Sequence, residues 1–579
     1  MPRNHHEPIV FQIGFNRCGT KYLTSIFSIN GYAAKHWEGG ALAEDIAYSK
    51  AANIEPLSSW PEVVFFSDME SVHKIQRPPI FAFKEFEYLH KWFPEAVFIL
   101  NKRKVSDWIA SRFSHHGGEY KRFWSHHLSV DPASLPDIWE EEWKEHFSRA
   151  IRYFRGNTNF FIYDIDSNKP EDLTEFLGRW FTLEKKPKAS NRVGADIRET
   201  QRRTLKSRQL ESLVREFSPD NDFIDLVTKH CVGNLDFIDS TSSPSFASEI
   251  YGKWDGKDTI LSKEGYNLPI KLGNDKAFHS KPDVFKLDRT ESVINEMASL
   301  ELRGRVQLDM QDSRQYGTKN GPHVKWPMVV YNRRSKTTNM VLWPLPGYHT
   351  LGQPHFVHPE PIDKIKFEDK LDKAVWRGNL SGHPNEALAP TLAKRRGANR
   401  ILEHLRSTQN EEEQIAIYNE LMGITRYNVV ARFFMSEDID AALTINHKFS
   451  DLKKSPLLSL YWGKRVDLNW FFESKYILSL SGFDTGSNFL MAANSNSVVM
   501  KEEDGWELFY TNEFKPWEHY IPLDLGALDV EEKLDWARAN PKRCVDMIKS
   551  SQQVCAKLAN PVNRSEILRG VFDKIQKYN

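Results

Sequence analysis

The chain has 579 residues, 40% hydrophobic and 27% charged, enough apolar material for about two to four packed domains. Lys plus Arg and Asp plus Glu both number 78, a balance that excludes general nucleic-acid binding and leaves only peripheral membrane contact open. Four cysteines without a C-x-x-C spacing argue against a zinc centre, and no run approaches the ~20 apolar residues of a membrane span.

The start, "MPRNHHEPIVFQ", lacks the apolar core of a signal peptide, so a reducing, cytoplasmic setting is expected. From residue 8 to about 190, "PIVFQIGF", "PPIFAFK", "EAVFIL" and "NFFIYDI" read as short buried parallel strands. The helical patterns "TKYLTSIFSING" and "VSDWIASRF" lie between them, which predicts a doubly wound sheet. The first strand runs into "IGFNRCGTKYL". Gly14 and Gly19 have the spacing of a Walker A loop, but Thr20 precedes Lys21 where the reverse order is needed. A strand, a glycine turn and a helix start aim backbone N–H groups at an anion, and Arg17 and Lys21 add charge. Without a Ser/Thr directly after the lysine, a Mg-nucleotide kinase is disfavoured.

The run Arg17, Cys18, Gly19, Thr20, Lys21 resembles the 5′-phosphosulfate loop of sulfotransferases. "FPEAVFILNKRKVSDWIASRF" resembles that family's 3′-phosphate motif, with Arg103 at a strand end and Ser111 eight residues later on the next helix. Lys84 in "FAFKEFEYL" stands where many such enzymes keep a lysine near the transferring group. The resemblance covers residues 8 to 195. It implies a P-loop-like sheet that binds 3′-phosphoadenosine 5′-phosphosulfate (PAPS) without a metal. Sulfuryl transfer also needs a base, and in "GYAAKHWEGG" both His36 and Glu38 are candidates, either of which could be an ordinary surface residue.

Residues 196–255 read as a connector, with a basic helix in "TQRRTLKSRQLESLVREF" and a Ser/Pro-rich stretch in "DSTSSPSFAS". From 256 a second α/β region begins, with apolar runs "RVQLDM", "WPMVVYN", "KAVWRG", "SKYILSLSG" and "SNSVVMK". Cys544 and Cys555 fall in one helix with Ile548 and Leu558, about 16 Å apart and out of disulfide reach, as a buried stripe.

"KAVWRGNLSG" followed by "SKYILSLSGFDTGSNFLMAANSNSVVMKEEDGWELFYTNEFKPWEHYIPL" resembles the family 90 glycosyltransferases over residues 275 to 575. That resemblance implies a GT-B-like pair of Rossmann-like halves with a nucleotide sugar, UDP-linked by expectation, in the cleft. Arg377 and Gly378 at a strand end, and Ser487 and Asn488 in the turn of "FDTGSNF", are the expected diphosphate or sugar contacts. Eukaryotic members often carry Arg where Asn488 stands. Lys475 is a further expected contact, or a lysine snorkelling at the surface. The base that deprotonates the acceptor is expected at Asp288, which could equally cap a helix, or at Asp312. "DID" triplets at 164–166 and 438–440 could suggest a metal, but such triplets arise by chance and the family does not require one, so none is expected.

The sequence therefore predicts three segments: a sulfotransferase-like 1–195, a connector 196–255 and a glycosyltransferase-like 256–579. The expected function is bifunctional, sulfuryl and glycosyl transfer to a glycan or glycolipid acceptor such as a lipopolysaccharide or another surface polysaccharide. The alternative is that one domain only binds PAPS or glycan.

Overall fold

The computed structural model describes residues 7–72, 79–115, 119–128, 130–187, 217–236, 252–254, 259–263, 266–267, 270–281, 287–304, 306–313, 315–318, 324, 326–351, 353, 356–392, 395–408 and 410–578. The expected basic helix over 200–217 and the Ser/Pro-rich stretch fall almost wholly outside these residues. Contacts group the chain into two compact units, Met1–Glu216 with Gly252–Arg303, and Phe217–Tyr251 with Gly304–Asn579. This division departs from the 1–195, 196–255 and 256–579 reading, because tertiary contacts rather than composition set it.

The first unit holds a five-stranded parallel sheet. Its strands are β1 (Val10–Gln12), β2 (Ala34–His36), β3 (Phe65–Ser67), β4 (Val97–Lys102) and β5 (Phe160–Asp164), in the order β2-β3-β1-β4-β5. Val10 pairs with Phe65 on one side and Val97 on the other. Successive side chains point to opposite faces. Phe11, Phe66, Phe98 and Leu100 accordingly enter one core, and Val10, Phe65, Val97 and Ile99 the other. Each such buried side chain contributes about 1.5–3 kcal/mol. Helix α1 (Thr20–Ile29) follows β1, and α2 (Val105–Phe113) follows β4. "PPIFAFK" departs from expectation. Among its described residues, Ile80–Phe81 is a strand paired antiparallel with Glu70–Ser71, and Ala82–Lys84 is a 3₁₀ turn.

Helix α3 (Leu135–Tyr153) packs on the sheet and sends His146 to the end of β1. His146 Nε2 donates to the Ile13 carbonyl at 2.7 Å, and its Nδ1 has no partner among the described residues. Burial pushes this imidazole down to about 3. A histidine held neutral in the fold is protonated more readily when unfolded, so its stabilisation is present above about 6.5 and drains away as pH falls toward 3. The stability of the wild type relative to His146→Gln, measured by denaturant titration, is expected to decline steadily from pH 6.5 to 4. A flat difference would refute the linkage.

Helix α4 (Leu287–Ser299) also belongs to the first unit. Its Asn295 and Glu291 accept from the backbone N–H groups of Phe278 and Ser280 at 2.8 and 2.7 Å, binding it to the hairpin Ile270–Leu272/Phe278–Ser280.

The second unit has two parallel arrays. β6 (Val306–Leu308), β7 (Met328–Val330) and β8 (Met340–Leu342) form one. The other runs in the order β10-β9-β11-β12-β13, with β9 (Leu371–Asn379), β10 (Ile439–Thr444), β11 (Ser474–Ser479), β12 (Val498–Glu502) and β13 (Ile521–Leu523). All its pairings are parallel. Trp376, Tyr476, Leu478, Met500 and Ile521 fill its core. Helix α5 (Thr425–Phe433) precedes β10, and α6 (Phe489–Ala493) follows β11. Helix α7 (Pro541–Leu558) buries Cys544, Ile548, Cys555 and Leu558 on one stripe, and both thiols are free, as the spacing predicts. The architecture is mixed α/β with several parallel sheets, as expected.

Candidate functional site

In an open parallel sheet, ligands bind in the crevice beyond the carboxyl ends of the strands. The second unit has a cavity of about 630 Å³ there. Ser381–Glu386 after β9, Ser481–Asp484 after β11, Asp504 after β12 and Leu525 after β13 line it, with Ser313, Gln315 and Arg334 from the other strand array. This volume suits a substrate-sized ligand.

Two side chains fix the rim, Arg426 partly buried and Glu502 buried. Arg426, near the start of α5, spends its guanidinium on Ser481 O (3.0 Å), Asn379 O (3.1 Å), Leu480 O (3.1 Å) and Ser381 Oγ (2.7 Å). It thereby staples the end of β9 to the end of β11. Burial lowers its pKa, offset in part by Asp484 and Glu502. Glu502 accepts from Thr425 Oγ1 (2.7 Å), Gly526 N (2.8 Å), Ser481 N (2.9 Å) and Ser481 Oγ (2.5 Å).

Carboxylates gather at the cavity. The Tyr331 hydroxyl lies 2.6 Å from Asp312 Oδ1 and also hydrogen-bonds Asp484 Oδ2. Asn332 Nδ2 donates to the same Asp484 oxygen at 2.9 Å. Ser313 Oγ donates to the Phe483 carbonyl at 2.5 Å, which docks the loop after β6 onto the loop after β11. Burial pushes Asp504 up to about 6. Its Oδ1 accepts from Trp506 N at 3.0 Å, and the Arg334 guanidinium lies 4.1 Å from the centre of the Trp506 ring.

The sequence-predicted residues of this half divide. Asp312 stands behind the lining, next to the lining residue Ser313 and linked through the Tyr331 hydroxyl to the lining residue Asp484. Ser487 and Asn488 lie just beyond the lining loop, Ser487 exposed, but Asn488 Nδ2 turns back to the Leu478 carbonyl at 2.9 Å and spends its donor there. Arg377 is on β9, yet its guanidinium pairs with Asp440 Oδ1 at 2.6 Å and stacks 4.4 Å over Trp470. Gly378 serves packing, since a Cβ there would come 2.6 Å from the Trp376 ring. Lys475 corrects the expectation of a donor contact. It stands at the start of β11, the end remote from the cavity, 3.7 Å from Asp372 and over the Phe367 ring. Asp288 occupies the first turn of α4, in the other unit. The "DID" carboxylates mostly meet donors: Asp438 meets Arg538 at 2.5 Å, Asp164 lies 3.4 Å from Lys102, and Asp166 accepts from Lys104 N at 2.8 Å.

In the first unit, the loop Gly14–Gly19 sits at the end of the central strand β1, between the strands β3 and β4 that flank it. Asn101 on β4 moulds it, accepting from Gly14 N (3.1 Å) and donating to Cys18 O (2.8 Å). Gly14 is required there, because a Cβ would lie 2.0 Å from the Asn101 carbonyl oxygen. Gly19 caps α1 at φ 83°, leading into Thr20 and Lys21. Arg17, Ser111 and Arg103 lie together. Arg17 Nε donates to Ser111 Oγ at 3.1 Å, and Arg103 Nη1 to the Arg17 carbonyl at 3.2 Å. Arg17 forms no ion pair among the described residues, and burial followed by the charge of Arg103 lowers its pKa. Cys18 is fully buried, its thiol pushed up to about 12.

The remaining candidates are partnered. Lys84 Nζ contacts Glu142 Oε1 at 2.6 Å. His36 Nδ1 lies 3.1 Å from Ser67 Oγ and Nε2 3.5 Å from Asp68 Oδ2, and burial plus the charge of Lys21 pushes it down to about 4. Glu38 pairs with Lys35 at 3.2 Å. Sequence reasoning missed Asp68, which burial pushes up to about 6 although Arg17 and Lys21 pull it down. It also missed Glu70, which burial pushes up to about 8 beside Asn16 and Tyr120. Arg112 was missed as well. It is fully buried, with Trp108, Trp124 and Trp139 within 4.9 Å. No local motif marks these three, because each takes its meaning from residues distant in sequence.

Comparison with known proteins bears on the second unit. Residues 357–560 match the model of Glycosyl transferase family 90, so the chain carries a C-terminal domain of that family. Ser313, Gln315 and Arg334 lie outside the match, and the other lining residues lie inside it. Protein O-glucosyltransferase 2 of Danio rerio is 29% identical over 136 residues, 23% of this chain and 25% of the relative. Protein O-glucosyltransferase 3 of Rattus norvegicus is 25% identical over 127 residues, 21% of this chain and 23% of the relative. Uncharacterized protein 179R of Invertebrate iridescent virus 6 is 23% identical over 211 residues, 35% of this chain and 16% of the relative. The matches thus span a quarter or less of each of these relatives. No group of three or more His, Cys, Asp or Glu side chains that could hold a metal occurs among the described residues, and no described helix is long and apolar enough to cross a membrane.

Proposed function

We propose that the second unit transfers a sugar from a nucleotide donor, UDP-linked, to a hydroxyl of a glycan, glycolipid or protein acceptor. The observation that carries this reading is the strand-end cavity, lined largely from within the family 90 match, with Asp312 tied to its wall through Tyr331 and Asp484. Asp312 is the base in this reading. It takes the acceptor proton as the acceptor oxygen bonds the anomeric carbon and the nucleoside diphosphate departs. The Arg334 guanidinium at the cavity favours the departing diphosphate. The test is a thermal-shift panel of UDP-, GDP- and CMP-sugars, followed by product analysis with the stabilising donor. If no nucleotide sugar is bound or consumed, the reading fails.

A second reading concerns the first unit, and the Arg17–Ser111–Arg103 convergence favours it. Two adjacent guanidinium groups, one without an ion pair among the described residues, call for an anion. In this reading the loop and α1 hold the 5′-phosphosulfate of PAPS and Arg103 and Ser111 its 3′-phosphate, while Lys84, with His36 or Asp68 as base, serves sulfuryl transfer. The chain would then build and sulfate a surface polysaccharide or glycolipid. PAPS or its desulfated product is expected to raise the melting temperature, and Arg17→Ala and Ser111→Ala to weaken that binding. Losing the Arg17 contact should cost about 1.5–3 kcal/mol, the scale of a charge-assisted hydrogen bond. Unchanged affinity in both folded variants would remove the site.

A further inference from the structure

We propose that Asp312 and Asp484, bridged by the Tyr331 hydroxyl, share one proton and titrate as a unit, with Asp484 the positioning residue that raises the proton affinity of the base Asp312. The catalytic consequence rests on the sugar-transfer reading above, whereas the shared proton does not.

The argument is a count of protons. A phenol carries a single O–H and can donate it once. Tyr331 is buried, and its oxygen lies within hydrogen-bond distance of an oxygen on each of two carboxyl groups. With both carboxyls ionised, one of those contacts sets a carboxylate against a phenol lone pair. One added proton turns both contacts into hydrogen bonds. Close like charges also resist joint ionisation, so the first proton binds the pair more tightly than it would bind either group alone.

The groups around Asp484 favour one of its two forms. Asn332 Nδ2 donates to Asp484 Oδ2 at 2.9 Å, and the partly buried Arg426 faces Asp484 electrostatically. Both favour an ionised Asp484. The Tyr510 phenol also faces Asp484, and Asp504, Arg334 and His383 line the same cavity. One of the one-proton states has Asp312–OH donating to the Tyr331 oxygen, and Tyr331 O–H donating to the Asp484 carboxylate. This is also the state that base catalysis produces. The acceptor O–H breaks, its oxygen bonds the anomeric carbon, the bond from that carbon to the diphosphate oxygen breaks, and the proton ends on the Asp312 carboxyl. Asp484 thus stabilises the product of proton abstraction through the Tyr331 hydroxyl.

The test is pH-difference infrared spectroscopy on the full-length chain, comparing wild type with Asp484→Asn and Tyr331→Phe. Buried carboxyls common to both proteins cancel in the difference. The Asp312 carboxyl band, identified by its loss in Asp312→Asn, should titrate at least one pH unit higher in the wild type than in Asp484→Asn. Tyr331→Phe, which keeps the ring packing, should lower the midpoint as well. In kcat/KM against pH for the UDP-sugar that the panel identifies, the acidic limb should move down by the same amount in Asp484→Asn, whatever happens to the plateau. A purely structural role for Asp484 would lower the rate at every pH and leave the limb in place. Equal midpoints in the wild type and both variants overturn the inference. Shifted midpoints in a protein that turns over no nucleotide sugar uphold the shared proton and count against the sugar-transfer reading alone.

Discussion

Asp312→Asn is expected to lower sugar transfer by roughly 10²-fold or more, the usual scale for a general base, while donor binding stays close to that of the wild type. Asn keeps the shape of the side chain and can still hydrogen-bond the Tyr331 hydroxyl, so the loop after β6 should hold. What is lost is the ability to take a proton. Asp288→Asn is the matched control. Asp288 starts α4, where its carbonyl accepts from Ser292 Oγ at 2.7 Å, and Asn at a helix start is well tolerated. Transfer to acceptor and a melting temperature should be measured for both variants. A folded Asp288→Asn without activity, beside an active Asp312→Asn, would reverse the assignment.

The largest expected loss of stability lies at the other end of the β9–β13 sheet. Lys370 and Asp363 form an ion pair at 2.7 Å, and both side chains are wholly buried. The ammonium also donates to the Phe472 carbonyl, and Asp363 accepts from Ile365 N (3.0 Å) and Asn496 N (2.8 Å). The pair ties the entrance of β9 to the segments before β11 and β12. Asp363→Ala leaves a buried cation without its counterion and should cost about 3–5 kcal/mol, whereas pairing it with Lys370→Met should recover most of that. Two compact units need not unfold in one step, so amide protection in β9 and β11 is the appropriate readout. A loss below about 1 kcal/mol in the single variant would show that water or a rearranged side chain replaces the carboxylate.

Much of the framework was legible because it is periodic. "EAVFIL", "KAVWRG", "SKYILSLSG" and "SNSVVMK" all contain central strands, since runs buried on both faces leave a continuous apolar signal. The three-residue β2 and β3 were not legible, and "PPIFAFK" misled, because such short segments carry too few residues to show a period. Arg103 at a strand end and Ser111 on the next helix were readable from spacing, but the hydrogen bonds of Arg17 to Ser111 and of Arg103 to the Arg17 carbonyl were not. Asp484 could not be chosen over Ser487 and Asn488 within "FDTGSNF", because only the fold brings Tyr331 and Asn332 against it. Lys475 failed for the opposite reason. A lysine beside a conspicuous motif looks functional until the strand direction places it at the far end.

Glu502 has an implication for how this cavity can diverge. One buried carboxylate receives donors from Thr425, Ser481 and Gly526, which belong to three separate connections. An insertion or deletion in any of the three would withdraw a donor from an anion that water cannot reach. Loop length is therefore frozen around the rim, although loops elsewhere drift freely in size. New donor or acceptor preferences must arise by exchanging side chains that project from fixed backbone, as Asp504, Glu386 and Arg395 do. Descendants of this sequence should differ in what they recognise by point substitution long before they differ by indels.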